Sequence, residues 1–155
     1  MRRAAGPCSS RTDFRTPIGV AIALFVGAGR VSGEGATFAP GQIRSVAERV
    51  YAAPQAERGR KQYAHSCVSC HEEDLSGFGE APALAGREFL ATWQGKTLLQ
   101  LFEKTRTTMP DGSPGSLGDA VYVDLLAYVL QQNKFPEGTD ELRLEALNRI
   151  AFTNR

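Results

Sequence analysis

The chain has 155 residues, 42% of them hydrophobic and 23% charged, with a formal net charge of +1 and three cysteines. That length suits one domain. Residues 1–33 hold five of the 18 basic and one of the 17 acidic side chains; the remaining 13 basic and 16 acidic leave a net charge near −3, which argues against nucleic acid as a partner and for a mildly acidic surface.

Arg2, Arg3, Arg11 and Arg15 precede an apolar run from Ile18 to Ala28, and small residues follow, with exits after Gly33 or Ala39. A charged start, a short apolar core and a small-residue exit make a secretory signal peptide. The run is too short for a membrane span, which takes roughly 20 residues. Arg2-Arg3 lacks the flanks of a twin-arginine signal. Residues 1–33 therefore read as a general secretory leader, cleaved between 33 and 39, and the product as periplasmic; only an uncleaved leader would hold it at the membrane. Cys8 precedes the apolar core, so it goes with the leader and is no lipoprotein cysteine. Two cysteines then remain in an oxidising compartment.

Residues 34–53 read as a flexible N-terminal segment, rich in Gly and Pro through Gln42, with a turn of helix at Ser45 to Tyr51. From Pro54, "PQAERGRKQYAHSC" reads as a helix with Pro in its first turn and Ala56, Gly59, Tyr63 and Cys67 on its inward stripe. Residues 72–86 form a long loop, a length uncommon in a compact domain unless the loop has a function. "REFLATW" and "KTLLQLFEKTRT" are two shorter helices, the second burying Leu98, Leu101 and Phe102. "MPDGSPGSLGD" is a second loop. "DAVYVDLLAYVLQQN" is a helix with Val121, Leu125, Tyr128 and Val129 on one face. Residues 136–155 read as a C-terminal extension packing on the domain, with Leu142, Leu144, Leu147 and Ile150 in one more short helix. The expected fold is all-α, three to five short helices and loops, with the functional domain over 54–135.

The stretch "HSCVSCH", His65 to His71, carries the chemistry. Its C-x-x-C spacing suits a zinc site, a thiol–disulfide pair or covalent haem attachment. Zinc takes about four ligands, and beyond the two cysteines the chain offers only His65 and His71, crowded into the same seven residues. A redox pair belongs beside a βαβ pattern, which this chain lacks, and has no need of the histidine after Cys70. Attachment of haem uses every residue: thioethers from Cys67 and Cys70, and His71 as the proximal iron ligand. Export agrees, because bacteria attach haem covalently outside the cytoplasm.

An iron held by one histidine takes a sixth ligand. Met109 is the one methionine outside the leader, and "TRTTMPDGSPGS" puts it on a loop, with Pro110 directly after it. A thioether opposite an imidazole favours reduced iron and raises the potential, as electron transfer requires. His65, six residues from His71 and tied to the same side, reads as a helix-surface residue.

With these pieces in order, the chain resembles the class I c-type cytochromes, mono-haem and Met/His-ligated. The resemblance runs from Gln55 to Asn133 through "GRKQYAHSCVSCH", "APALAG", "FLATWQGKTLLQLFEKTRTTMP" and "PGSLGDAVYVDLLAYVLQQN". The last two look most like bacterial cytochrome c domains associated with quinoprotein dehydrogenases. The resemblance implies one covalent haem c, with its iron between His71 and Met109. It implies that the Pro82 carbonyl accepts from His71 Nδ1, and that Trp93 points its indole N–H at a haem propionate, with a core aromatic of no polar role as the equal alternative. Arg87 is a further candidate for a propionate, against the plainer reading of a solvated arginine. Gly59 and Tyr63 would cross the last helix at Leu125 and Tyr128. Two departures stand out: Glu72 and Glu73 follow the histidine where many relatives have glycine, adding negative charge near the haem edge, and Gly118 occupies an N-cap that relatives often fill with Ser or Thr.

The expected function is periplasmic electron transfer, as a one-electron carrier or a cytochrome subunit between a dehydrogenase and a respiratory acceptor. The donor would be a quinoprotein dehydrogenase and the acceptor a terminal oxidase or another cytochrome. No acid–base constellation points to catalysis. The rival is a haem enzyme or gas sensor with an open or labile sixth position; Met109 argues against it, and no distal His or Arg stands ready as a helper.

Overall fold

The structure, a computed structural model, describes residues 41–153. The expected leader, with Cys8 and the expected cleavage site, and residues 34–40 lie outside the described residues. Five α-helices form: α1 (Ala53–Ser66), α2 (Val68–His71), α3 (Arg87–Trp93), α4 (Leu98–Thr108) and α5 (Asp119–Gln132).

Pro54 stands in the first turn of α1, where its missing N–H leaves nothing unpaired. Ala56, Gly59 and Tyr63 are buried along one stripe, joined by Gln55. That stripe crosses α5. A Cβ on Gly59 would run into the Asp124 carbonyl and lie 3.0 Å from Tyr128 Cβ, so the two backbones meet there without a side chain between them. One turn on, the rings of Tyr63 and Tyr128 pack with centroids 5.2 Å apart. The helix stops at Ser66, and the Cys67 N–H donates back to the Tyr63 carbonyl at 2.9 Å.

Thr97 and Gln100 start α4 with a reciprocal capping box. Each side chain accepts from the other residue's amide, at 3.3 and 2.9 Å. Leu98, Leu101 and Phe102 are its buried side, as periodicity indicates. α5 departs from expectation. Tyr122, Val123, Leu126, Ala127 and Leu130 are buried along with Leu125, Tyr128 and Val129, while Val121 is only partly covered. The helix is packed from several sides, by α1, α4 and the C-terminal segment, so a single-face reading undercounts its core. Gly118 caps it with φ +76 and no side-chain bond; a Ser or Thr there would be strained, which accounts for the departure at this position.

The two ends of the described chain correct the sequence reading. The part of the 34–53 segment seen here is ordered core: Ser45, Val46, Val50 and Tyr51 are buried. Ser45 to Tyr51 is no helix. Arg44–Ser45 (β1) pairs in parallel with Ile150–Ala151 (β2), in register Arg44 to Ile150, and turns follow it. The tail packs against the domain through buried side chains. Leu142, Leu147, Ile150 and Phe152 belong to the central core, whereas Leu144 is exposed, and the short helix is a 3₁₀ helix, Leu144–Arg149. Phe152 sits among Phe89, Trp93 and Phe135 at centroid distances of 5.8, 6.4 and 6.0 Å. Buried Gln55 locks α1 to this segment, its amide donating to the Leu142 carbonyl at 2.9 Å and accepting from the Leu142 N–H at 2.7 Å. Strands of two residues show no alternation, so hydropathy cannot reveal them.

Replacing Gly59 with Ala should push α1 off α5 and cost about 1–3 kcal/mol. Thermal unfolding would show it as a lowered Tm; an unchanged Tm would mean that the backbones do not touch.

Candidate functional site

Cys67, Cys70 and His71 lie on one tight turn. The Cys70 and His71 amides donate to the Cys67 carbonyl at 3.2 and 3.0 Å. Cys67 is the N-cap of α2 and Cys70 lies within it, three residues on, so one turn carries both cysteines. Cys70 is exposed and Cys67 half-buried. Burial, with Cys70 adding to it, pushes the Cys67 thiol up to about 11. A reactive redox cysteine has its thiol lowered instead. Among the described residues no three His, Cys, Asp or Glu side chains converge as metal ligands, which a zinc site would require.

His71 is buried, with 5% exposure, and its Nδ1 lies 2.9 Å from the Pro82 carbonyl oxygen. A carbonyl only accepts, so Nδ1 carries the proton and Nε2 carries the lone pair. This is the tautomer that a metal-ligating histidine needs, oriented and made more basic by its outer partner. The loop that supplies Pro82 is stitched beneath the motif. Gly77 N–H donates to the His71 carbonyl at 3.1 Å, Phe78 N–H to the Cys70 carbonyl at 3.1 Å, and Leu84 N–H to the Leu75 carbonyl at 2.8 Å. Leu75, fully buried, anchors it. Gly77 has φ +76, and a Cβ there would strike the Ala81 carbonyl and the backbone of Pro82; the loop folds back this tightly only over glycine.

Met109 follows α4 directly and is half-buried. Its backbone is held from both sides: its N–H donates to the Thr105 carbonyl at 2.8 Å, and its carbonyl accepts from Gly115 N–H at 3.3 Å and from Tyr122 Oη at 2.8 Å. Tyr122 is wholly buried on α5. The thioether thus leaves from a fixed point. Trp93 packs in an aromatic group with Phe89 and Phe152, and Lys96 Nζ lies 5.1 Å from its ring centroid; its indole N–H has no hydrogen bond among the described residues. Arg87, at the start of α3, is exposed and forms no ion pair among them. His65 is exposed on the last turn of α1.

Three contributors escaped the sequence reading. Tyr63 Oη donates to the Glu72 carbonyl at 2.7 Å, tying α1 to the turn after His71. Tyr122 holds Met109. Asn133 spans the far end of the loop, accepting from Gly86 N–H at 3.0 Å and donating to the Leu84 and Val129 carbonyls at 3.0 and 2.8 Å. Tyr63 reaches nine residues along the chain, Tyr122 reaches 13 and Asn133 reaches 47 and 49, and the tyrosines look like ordinary core residues in a hydrophobic pattern.

The donor set fits haem: two sulfurs on one helical turn, a buried imidazole with its lone pair at Nε2, and a thioether held at the end of another helix. Residues 54–129 match the family of cytochrome c oxidase, cbb3-type, subunit III. The sulfane dehydrogenase SoxCD from Paracoccus pantotrophus is a similar solved structure, at 22% identity and a TM-score of 0.48, with 77% of this chain and 68% of that one covered. No curated protein matches the chain significantly.

Glu72 has φ 60 and ψ 164, a region almost confined to glycine, where other residues carry about 1–3 kcal/mol of strain. Glycine would relieve it. Glu72→Gly should raise stability by about 1 kcal/mol net of glycine's greater unfolded-state freedom, seen as a higher denaturant midpoint. A lower midpoint would contradict the strain.

Proposed function

The chain carries a class I c-type cytochrome domain, matched over residues 54–129, and on that premise we propose a periplasmic one-electron carrier, free or as the cytochrome subunit of a larger complex. Domains of this family transfer electrons. In this reading Cys67 and Cys70 would hold one haem c by thioether bonds, and His71 and Met109 would bind its iron. The haem, when bound, supplies an iron that alternates between ferric and ferrous states. The observation that carries the reading is the bond from His71 Nδ1 to the Pro82 carbonyl, 2.9 Å, which fixes the lone pair on Nε2 beside both cysteines.

The residues of the chain do the rest. Pro82 strengthens His71 as a ligand and stops its ring from turning. Tyr122 and Gly115 hold the Met109 backbone in one place through its carbonyl. The surrounding core keeps water from His71, which is buried. The leader at residues 1–33 supports export, and an oxidase subunit as the family's namesake supports a place between a dehydrogenase and a respiratory acceptor. A quinoprotein dehydrogenase as donor rests on the sequence resemblance.

The test is the mass of the denatured protein after export from a host that attaches haem. The expected species is the mature chain plus one haem that survives denaturation. Replacing Cys67 and Cys70 together with Ser should abolish it. Haem released on denaturing the parent protein, or more than one haem per chain, would overturn the assignment.

A further inference from the structure

We propose that residues 72–80 form a docking surface for a redox protein that is basic around its own redox centre; the proposal rests on the electron-transfer reading above. Phe78 carries it. Its side chain is 75% exposed, more than any other large hydrophobic among the described residues. Burying such a ring is worth about 1.5–3 kcal/mol, so a slack loop would fold it away. This loop is not slack. Phe78 N–H donates to the Cys70 carbonyl at 3.1 Å, and its own carbonyl accepts from Ala81 N–H at 3.0 Å. Gly77, beside it, is pinned against Ala81 and Pro82 with no room for a side chain. The ring is displayed by a rigid backbone, one hydrogen bond from a cysteine that is itself exposed. A partner covering Phe78 would therefore stand next to Cys70.

A single exposed apolar residue is ordinary; the charge around this one names the partner. Glu72, Glu73, Asp74 and Glu80 surround it in sequence and are all exposed, and residues 72–86 contain no Lys or Arg. None of the four carboxylates forms an ion pair among the described residues, whereas Glu57, Asp119, Asp124 and Glu141 all do. An apolar centre with a charged rim is the usual anatomy of a protein interface, and the rim sets orientation and encounter rate. Four unpaired carboxylates repel nucleic acid, anionic lipid and a second copy of the same surface. They attract lysines and arginines.

The test is stopped-flow oxidation of the reduced holoprotein by a lysine-rich mitochondrial cytochrome c as the probe, at low and high salt. The parent's rate constant should fall about tenfold or more as salt rises. The variant Glu72→Gln/Glu73→Gln/Glu80→Gln should lose about tenfold at low salt and match the parent at high salt. A control with the same change of net charge elsewhere, Glu88→Gln/Glu103→Gln/Glu145→Gln, should stay within about twofold of the parent. Phe78→Ser should slow the reaction about fivefold at both salts, because its contribution is not electrostatic. Equal losses in the two charge variants, or none in either, would overturn the proposal. So would a concentration-dependent dimer that Phe78→Ser dissolves, which would assign the face to a second copy. A parent without reducible haem would overturn the electron-transfer reading as well; reducible haem with unmoved rates overturns the docking surface alone.

Discussion

One hydrogen bond orders this structure: His71 Nδ1–H to the carbonyl of Pro82. A histidine with a free choice of tautomer presents either nitrogen, and a buried one without a partner leaves a polar atom unsatisfied at a cost of about 1–3 kcal/mol. Pairing Nδ1 with a carbonyl resolves both problems. The proton is committed to one nitrogen and the lone pair to the other. Everything nearby then serves to keep the Pro82 carbonyl in place: the glycine at 77, the buried Leu75, the Asn133 clamp on Leu84 and Gly86, and the Tyr63 hydroxyl on Glu72.

Helix packing transmits that constraint to the other side of the site. α1 brings in Cys67 at its C-terminal end, and α5 holds Met109 through Tyr122. The two helices touch backbone to backbone at Gly59, so the positions of Cys67 and Met109 are referred to one rigid crossing. The terminal segments close the far side of the core. With Phe152 among three aromatic rings and Gln55 bonded twice to Leu142, the ends support the body that holds Cys67, His71 and Met109. A domain of this size has a small core, and covalent anchorage of a large apolar group by Cys67 and Cys70 would add to it.

Much of this was legible in the sequence because it depends on short spacings. C-x-x-C-H sits on one turn, the α1 stripe recurs at helical intervals, and Leu98, Leu101 and Phe102 mark the inner side of α4. Met109 stands out in the sequence by scarcity and by the proline and glycines around it, and its role as a ligand is proposed on that ground and on its fixed backbone. Contacts that join distant residues through main-chain groups were not legible. The pairing of Arg44 with Ile150 and the Tyr122 hydroxyl on Met109 leave no pattern in hydropathy, and neither does Asn133 on the loop. Phe152 lay beyond the last periodic segment, so its place in the core left no sign in the sequence. The departure at Glu72 was visible as an unusual residue type; its physical meaning, a backbone in glycine's territory, needed the dihedral angles. The exposure of Phe78 likewise needed the fold, since in sequence it is one more aromatic in a loop.

The central claim is that the backbone delivers His71 and Met109 as a closed pair of iron ligands. Optical spectra of the exported protein, oxidised, reduced and reduced under carbon monoxide, test it most directly, with Met109→Ala alongside. The account predicts a low-spin spectrum that carbon monoxide leaves unmoved in the parent, and a variant that binds the gas readily at a lowered potential. A parent that binds carbon monoxide on reduction, or a Met109→Ala variant with the parent's spectrum, would contradict it.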